Sequence, residues 1–435
     1  MSGAPDAAPP ARPPGIYGLR LLRAPRVRLA ALVVVTAVVL LVRLGQFYYW
    51  TSQPQWAYDF TFYWTAAGHL LHGEPIYTAQ QLAGPFVPQA QQGFLYPPAL
   101  AAFLAPFAAF LPTDPRLANW IWLVAGVTIL IASVLALTWS EDLGERYPLL
   151  RGQGRWWLVA GAFAFPPVID ELVVGNVNLI LLGLLTAAWL GIRRADARGG
   201  DLAGVAVGVA TVVKVFPGLL VLWFLVTRRG LAAAWAVVAV VVVAAVSLPI
   251  TGLEPWRDYP TVLANLSSTP NAVDALAPTN WLTPFLGFTL ARILVTAIGV
   301  ALVVWSAGRG RAGWAPSGAS SATRVAAGRA ATRTFGLAVV VAVLVTPALY
   351  TSYLTVLILP LILGLSVGIR LRWLALAYLL MWGGQQSALG DLAWVVNKGF
   401  PTAGALLLLG LFVVASGNDD AGDGHGAKDR LGRRR

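Results

Sequence analysis

One carboxylate, Asp59, lies in the aromatic stretch 58–64, which directly follows the first long apolar run of the sequence. Desolvating a carboxylate is costly, so an aspartate among aromatic side chains beside a membrane is a candidate functional group. Aspartate is also a good N-cap, and Asp59 can equally cap a surface helix that starts at Phe60. The sequence leaves both interpretations open.

Lys214 is a second charged residue in apolar surroundings. It lies inside a long apolar run, three positions before Pro217. A lysine buried at this depth is costly unless it is paired. In one interpretation Lys214 snorkels or pairs with Asp170 or Glu171. In the other, its ammonium faces a phosphate at the membrane–water boundary.

A polar interruption between two apolar runs contains Asp170, Glu171 and the sequence Gly-Asn-Val-Asn at 175–178. Glycine and asparagine are ordinary residues of a tight turn, and the two acids can be loop charges. The alternative is that the turn faces a polar cavity, which makes Asn176 and Asn178 candidate cleft residues.

Two histidines, His69 and His72, are spaced i, i+3 on a short interfacial helix predicted over 60–72, so they share one face. Together with Glu74 they have some of the ligands of a zinc site. No cysteine is available to complete such a site, and a polar wall or a general acid–base role fits the pair better. We therefore expect no metal.

The composition indicates a membrane protein. The chain has 435 residues, of which 57% are hydrophobic and 11% charged, whereas soluble domains carry about 25% charged residues. Many mostly apolar runs reach the roughly 18 residues that a transmembrane helix needs. The absence of cysteine excludes disulfides and thiolate chemistry. The sequence therefore predicts an all-α polytopic membrane protein and excludes a β-barrel, which needs short alternating segments.

The chain divides into three parts. Residues 1–26 are rich in Pro, Ala and Arg and are expected to be a disordered cytoplasmic tail. Residues 27–416 form the predicted transmembrane catalytic domain with outward loops 50–92 and 251–284, and residues 417–435 form a second disordered cytoplasmic tail. Roughly twelve spans are predicted, near 27–49, 94–112, 117–139, 156–170, 172–191, 202–226, 231–250, 285–307, 334–349, 353–369, 373–389 and 395–416.

Simple alternation of these spans puts two arginine-rich loops of the first half outside, against the positive-inside rule. Two broken segments would repair the conflict. The segment 94–112 would fail to cross simply, and 202–226 would run outward and return at Lys214. This path brings Lys214 and the Gly-Asn-Val-Asn turn to the outer side, near Asp59.

Three motifs carry a resemblance to a known family. The first runs from Asp59 to Tyr77, the second is Tyr96-Pro97-Pro98, and the third runs from Gly175 through Gly204 and Gly208 to Lys214-Val215-Phe216-Pro217. In order and spacing they resemble glycosyltransferase family 87, integral-membrane enzymes of the GT-C fold that include bacterial α-mannosyltransferases.

The resemblance implies an inverting hexosyltransferase of the plasma membrane with its active site outside, and the arginine distribution predicts both termini in the cytoplasm. The donor would be a polyprenyl-phosphate sugar, with mannose as the implied hexose, and the acceptor a glycolipid or glycan. Asp59 would be the general base, and Lys214 would bind the donor phosphate. Neither a metal nor another cofactor is implied.

The late outward motif departs from the family pattern, in which an acid or histidine often follows Ser-Pro-x-x-Trp. Here residues 346–353 read Thr-Pro-Ala-Leu-Tyr-Thr-Ser-Tyr, so that role is either left empty or passes to Tyr350, Tyr353 or His69. The other substrate-cleft candidates are Tyr58, Tyr63, Tyr77, Tyr96, Asn176 and Asn178.

A transporter or flippase of a lipid-linked or small polar substrate is the alternative from another functional class. Transporters also place polar residues on broken helices near the middle of the membrane. Against this alternative, the two halves of the chain show no inverted-repeat resemblance, and Asp59 is predicted in a loop.

Overall fold

The computed structural model describes residues 25–53, 56–85, 93–111, 115–194, 197–268, 276–309, 321–382 and 395–417. The chain is helical within these ranges, which contain no β-strand. The principal helices are α1 (Pro25–Thr51), α2 (Tyr58–His72), α3 (Pro98–Phe110), α4 (Pro115–Ser140), α5 (Trp156–Ala164), α6 (Pro166–Val174), α7 (Asn178–Arg194), α8 (Ala197–Val213), α9 (Leu219–Val226), α10 (Gly230–Thr251), α11 (Glu254–Ser268), α12 (Pro278–Leu286), α13 (Phe288–Arg309), α14 (Ser321–Leu344), α15 (Ile358–Ser366), α16 (Leu371–Leu380) and α17 (Phe400–Gly417).

The molecule is a multi-pass helical membrane protein. In the described part of the chain, six helices are long and apolar enough to cross a bilayer, and α5 with α6 makes a seventh candidate bent by 62°. Five further apolar helices have only 10–17 residues, fewer than the roughly 20 that a straight crossing needs. Length and composition alone therefore give six or seven spans where the sequence predicts roughly twelve. The six long spans are Leu29–Thr51, Pro115–Ser140, Gly230–Thr251, Phe288–Arg309, Ala327–Leu344 and Val395–Gly417.

Helices α8 and α10 pack side by side and run in the same direction. Gly204 lies against Ala232, and Gly208 lies one turn further along against Ala236, so closely that a Cβ at either glycine would clash with a carbonyl oxygen. Since α9 alone connects α8 to α10, the chain must reverse after α8. Lys214 therefore lies at the tip of an α8–α9 hairpin, and the predicted break in 202–226 is present.

Helix α3 begins and ends at one end of the helix bundle. Tyr96, just before α3, accepts a hydrogen bond from the Asn176 side chain at its hydroxyl, with 3.0 Å between the atoms. Trp122, in the first turns of α4, donates to the Asn176 carbonyl at 3.3 Å. Because Tyr96 before α3 and Trp122 after it both contact Asn176, α3 does not pass to the opposite end.

Arginines from separate loops lie at the opposite end of the bundle. Arg193, at the end of α7, donates to the Ser140 carbonyl that ends α4 (3.2 Å) and pairs with the Glu141 carboxylate (3.3 Å). Arg146 donates to the carbonyl of Ser366, the last residue of α15, at 2.9 Å. The described parts of the predicted basic loops 140–155 and 192–201 therefore share one end, and α7 starts with Asn178 at the other.

The polar interruption predicted over 170–178 is wrong in one respect. Asp170 and Glu171 are not loop residues but lie inside α6. The chain bends earlier, at Phe165, because two prolines open α6 and cannot continue the hydrogen bonding of α5. The turn after α6 consists of residues 175–177, as its glycine and asparagine indicate.

Several predictions concern residues outside the described ranges. These residues include nearly all of the tails 1–26 and 417–435, residues 86–92 of the first outward loop and 269–275 of the second. The predictions for these segments stay predictions.

The close approach of α8 and α10 makes Gly208 a sensitive position. We expect Gly208→Ala to lower the thermal unfolding midpoint of the purified protein, since overpacking costs about 1–3 kcal/mol. The matched control is Gly410→Ala, because Gly410 is also helical but its added Cβ meets no atom within 4 Å. A midpoint lowered equally by both changes would contradict the packing described for α8 and α10.

Candidate active site

Asp59 lies in the first turn of α2, and its side chain does not cap the helix. The N-cap is Ala57, which has left-handed backbone angles (φ 61°) and provides no side-chain hydrogen bond. The simple capping interpretation of Asp59 is therefore wrong. The partial positive charge at a helix N-terminus still favours a carboxylate at this position.

Gly175 allows the start of α2 to approach the α6–α7 turn. Its φ of +71° is in the left-handed region, and a Cβ at this position would lie 2.8 Å from the Phe60 Cβ. The Ala57 amide also donates to the Val173 carbonyl at 2.8 Å. A glycine is needed here on both counts, since any side chain would separate α2 from the turn.

The side chain of Asn176 connects the two charged candidates. Its Nδ2 group donates to Asp59 Oδ2 and to the Tyr96 hydroxyl. Its Oδ1 atom accepts from Lys214 Nζ at 3.2 Å and from Asn178 Nδ2 at 3.1 Å. Asp59 and Lys214, which are far apart in sequence, are thus held by one amide.

Lys214 is buried, with 8% of its surface exposed. Its Nζ donates to the Oδ1 atoms of Asn176 and Asn178, both at 3.2 Å, and lies 3.3 Å from the ring centroid of Tyr353. A second ring, that of Tyr96, is 5.4 Å away. Lys214 therefore has amide and aromatic partners rather than an ion pair, and no carboxylate of the described residues forms a salt bridge with it.

Glu171, which the sequence offered as a possible ion-pair partner of Lys214, instead binds amide groups of the α6–α7 turn. It is 1% exposed, and its Oε1 accepts from the backbone amides of Asn178 (2.6 Å) and Leu179 (3.3 Å). Its Oε2 accepts from Asn178 Nδ2 at 2.7 Å. Glu171 thus caps the N-terminus of α7. It also fixes the side-chain amide of Asn178, whose oxygen accepts from Lys214.

The surroundings of Asp59 suit a proton acceptor. Burial raises the pKa of the Asp59 carboxyl above its ordinary value, while the hydrogen bond from Asn176 and the charge of Lys214 act against this rise. A raised pKa makes a carboxylate a stronger base when it is deprotonated. Activity that depends on this base would be lost as the pH falls through its pKa.

The other predicted aromatic residues of the cleft surround this cluster. The ring centroids of Tyr63 and Tyr96 are 4.8 Å apart. The Tyr77 hydroxyl donates a hydrogen bond to the Tyr96 carbonyl at 2.6 Å. The Tyr350 ring lies 6.0 Å from the Tyr353 ring, which itself faces Lys214. Four separate segments of the chain therefore contribute to one aromatic wall.

Two predicted residues lie elsewhere. Tyr58 is 38% exposed and packs its ring against Phe62. His69 Nδ1 lies 3.0 Å from the Pro75 carbonyl, and its Nε2 is 3.6 Å from the Glu74 carboxylate. Since a helix rises about 1.5 Å per residue, His69 is about 15 Å along α2 from Asp59.

An apolar cavity of about 360 Å³ lies between α3 and α4 and reaches the same turn. Glu171, Gly175 and Asn176 are among the residues that line it. The rest of the lining is almost entirely hydrophobic and includes Trp64, Phe103, Phe107, Leu111, Ile121, Trp122, Ala125 and Ile129. The polar cluster therefore adjoins a space suited to a hydrocarbon chain.

Comparison with known proteins places the chain among the glycosyltransferases. A family model matches residues 94–347, and the chain belongs to glycosyltransferase family 87. The match contains Asn176 and Lys214, whereas Asp59 precedes it.

Two curated relatives, from Mycobacterium tuberculosis strains CDC 1551 / Oshkosh and ATCC 25618 / H37Rv, are named "Alpha-(1->3)-arabinofuranosyltransferase". Each is 33% identical over 216 residues, which cover 47% of this chain and 46% of the relative. The chain thus spans about half the length of the curated relatives it matches. No solved structure matches the chain significantly.

The contact at Gly175 can be tested with a pair of glycines. We expect Gly175→Ala to lower the thermal unfolding midpoint more than Gly73→Ala does. Both glycines have a left-handed φ, but a Cβ at Gly73 meets no atom within 4 Å, whereas one at Gly175 meets Phe60. Equal losses would show that backbone strain alone matters and that α2 does not depend on this contact.

Proposed function

We propose that this protein transfers a sugar from a polyprenyl-phosphate donor to a hydroxyl of a glycolipid or glycan at the outer face of the plasma membrane. One observation carries the proposal: Asn176 holds the half-buried Asp59 carboxylate and the buried Lys214 ammonium in one cluster. Transfer from a lipid phosphate needs a base for the acceptor and a cation for the leaving group, and the cluster has both.

The proposed reaction is a single displacement that inverts the anomeric carbon. Asp59 takes the proton of the acceptor hydroxyl as that oxygen forms its bond to the anomeric carbon. The bond between this carbon and the phosphate oxygen breaks, and its electron pair leaves with the phosphate. The Lys214 ammonium stabilises the added negative charge, so the scheme needs neither a metal nor another cofactor.

The apolar cavity supports a lipid-linked donor. Because it starts at the Asn176 turn and has a hydrophobic lining, a chain attached to a phosphate near Lys214 can leave the site between α3 and α4. Burial of a hydrocarbon chain contributes about 0.8 kcal/mol per CH₂ group. This route matches a donor whose tail enters laterally from the membrane.

The distribution of charge supports an outward-facing site. The arginine-rich end of the bundle would be cytoplasmic by the positive-inside rule, which leaves Asp59 and Lys214 at the outer end. Both termini would then be cytoplasmic. Together with the long spans, the shorter apolar helices would give roughly twelve passes, as in a GT-C domain over 27–416. In this count α8 and α9 each cross the membrane once, and α3 does not cross it.

The transferred sugar has two candidates. The family resemblance favours a hexose of the mannose type. The relatives named as arabinofuranosyltransferases favour an arabinofuranose. Both sugars can be offered as polyprenyl-phosphate donors in the same assay. A transporter or flippase is set aside because the chain belongs to a glycosyltransferase family.

We expect Asp59→Asn to abolish transfer while donor binding persists. A general base contributes about 10²–10⁴-fold to a rate, and asparagine cannot accept the acceptor proton. The measurement is transfer of radiolabelled mannose or arabinofuranose from its polyprenyl phosphate, in vesicles supplied with a lipid-acceptor extract.

Glu74→Gln is the matched control, because Glu74 lies in the same outward loop but pairs with His69 at the exposed end of α2. Its transfer should equal that of the wild type. Equal transfer by Asp59→Asn and the wild type would remove Asp59 from the reaction. If the wild type transfers no sugar but carries the donor across the vesicle membrane, and Asp59→Asn does so more slowly, a transporter would be favoured.

The cavity between α3 and α4 can be tested by filling it. We expect Ala125→Phe to raise the KM for a long-chain donor several-fold, with little effect on a donor whose lipid has only two isoprene units. Ala132→Phe is the control, since Ala132 is also exposed on α4 but does not line the cavity. If both variants leave the long-chain KM unchanged, the donor chain does not lie in this cavity.

A further inference from the structure

The orientation of the Asn176 amide is fixed by its neighbours. Three donors point at one end of it: the Val177 amide at 2.7 Å, Asn178 Nδ2 at 3.1 Å and Lys214 Nζ at 3.2 Å. That end must therefore be the oxygen, since an NH₂ group cannot accept from them. The NH₂ end is left to face Asp59 and the Tyr96 hydroxyl.

This orientation makes the two oxygens of Asp59 unequal. Oδ2 accepts from Asn176, whereas Oδ1 has no hydrogen bond to any of the described residues. A carboxylate oxygen that already accepts a hydrogen bond is a weaker base than one that does not. Oδ1 is therefore the oxygen available to an acceptor hydroxyl.

We propose that Asn176 is a positioning residue that sets the base and the phosphate-binding ammonium relative to each other and leaves Oδ1 of Asp59 to take the acceptor proton. The inference rests on the proposed function and assigns a role to a residue that itself touches no reacting atom. The amide is 6% exposed, and its contacts hold it on both sides. Movement of either charged group would therefore be transmitted to the other through this amide.

Asn178 provides a comparison for Asn176, because its side chain also binds Lys214. Its Oδ1 accepts from Lys214 at 3.2 Å, the same distance as that of Asn176. Its Nδ2, however, faces Glu171 and Asn176 and does not reach Asp59. Removal of either amide deprives Lys214 of one acceptor, but only removal of Asn176 frees Asp59 Oδ2.

Groups from several structural elements influence the pKa of the Asp59 carboxyl. The titratable groups that interact electrostatically with this carboxyl are Tyr58, Tyr63, Tyr96, Asp170, Lys214 and Tyr353. Of these, the charge of Lys214 lowers the pKa of Asp59, as the hydrogen bond from Asn176 also does. Loss of the Asn176 donor should therefore raise the pKa of Asp59.

The test compares kcat/KM across pH for the wild type, Asn176→Ala and Asn178→Ala. Donors are the polyprenyl phosphates of mannose and arabinofuranose. We expect both variants to raise the donor KM roughly tenfold, because each removes one hydrogen bond to a charged group. Only Asn176→Ala should move the acidic limb of the profile to higher pH, by about one unit.

A second variant serves if Asn176→Ala does not fold, which thermal unfolding and size-exclusion chromatography will show. Asn176→Asp keeps the shape and the oxygen that faces Lys214, but it places a carboxyl against Asp59. It should move the acidic limb upward while leaving the donor KM within about threefold of the wild type.

The outcomes separate this inference from the proposed function. Transfer by the wild type with an acidic limb that no Asn176 variant moves would overturn the role of Asn176 and leave the proposed function standing. A limb that Asn178→Ala moves as far as Asn176→Ala does would also overturn it. A wild type that transfers neither sugar would contradict the proposed function and this inference with it.

Discussion

The Asn176 amide lies between a carboxylate and an ammonium, and the rest of the site depends on that contact. Buried charges in a membrane protein are costly unless each one keeps its partners. The start of α2, the α6–α7 turn and the tip of the α8–α9 hairpin must therefore meet within hydrogen-bond distance. Gly175 permits the first approach, and Glu171 anchors the turn by capping α7.

The two ends of the helix bundle differ in their charged groups. Arginines bind the carbonyls that end α4 and α15 at one end, and the polar cluster with its aromatic wall occupies the other. The parallel packing of α8 and α10 makes this possible, because it forces the chain to reverse at Lys214. The apolar cavity then joins the cluster from the side, where the lipid chain of the proposed donor would lie.

Sequence patterns predicted the parts of this arrangement that local chemistry controls. A proline three residues after Lys214 indicated the break, and the glycine and asparagines at 175–178 indicated the turn. The role of Glu171 could not be predicted, because an acid before such a turn finds its partners only once α6 and α7 have formed. The count of roughly twelve spans stays a prediction, because only six or seven of the described helices are long enough for a straight crossing and five further apolar helices are shorter.

The most direct measurement is a cryo-EM structure in lipid nanodiscs with a polyprenyl phosphate bound. Our account predicts a phosphate oxygen about 3 Å from Lys214 Nζ. It also predicts that the chain lies between α3 and α4 and that Asp59 Oδ1 faces the space beside the phosphate. A phosphate bound at the arginine-rich end, or a lipid chain seated away from this cavity, would contradict the account.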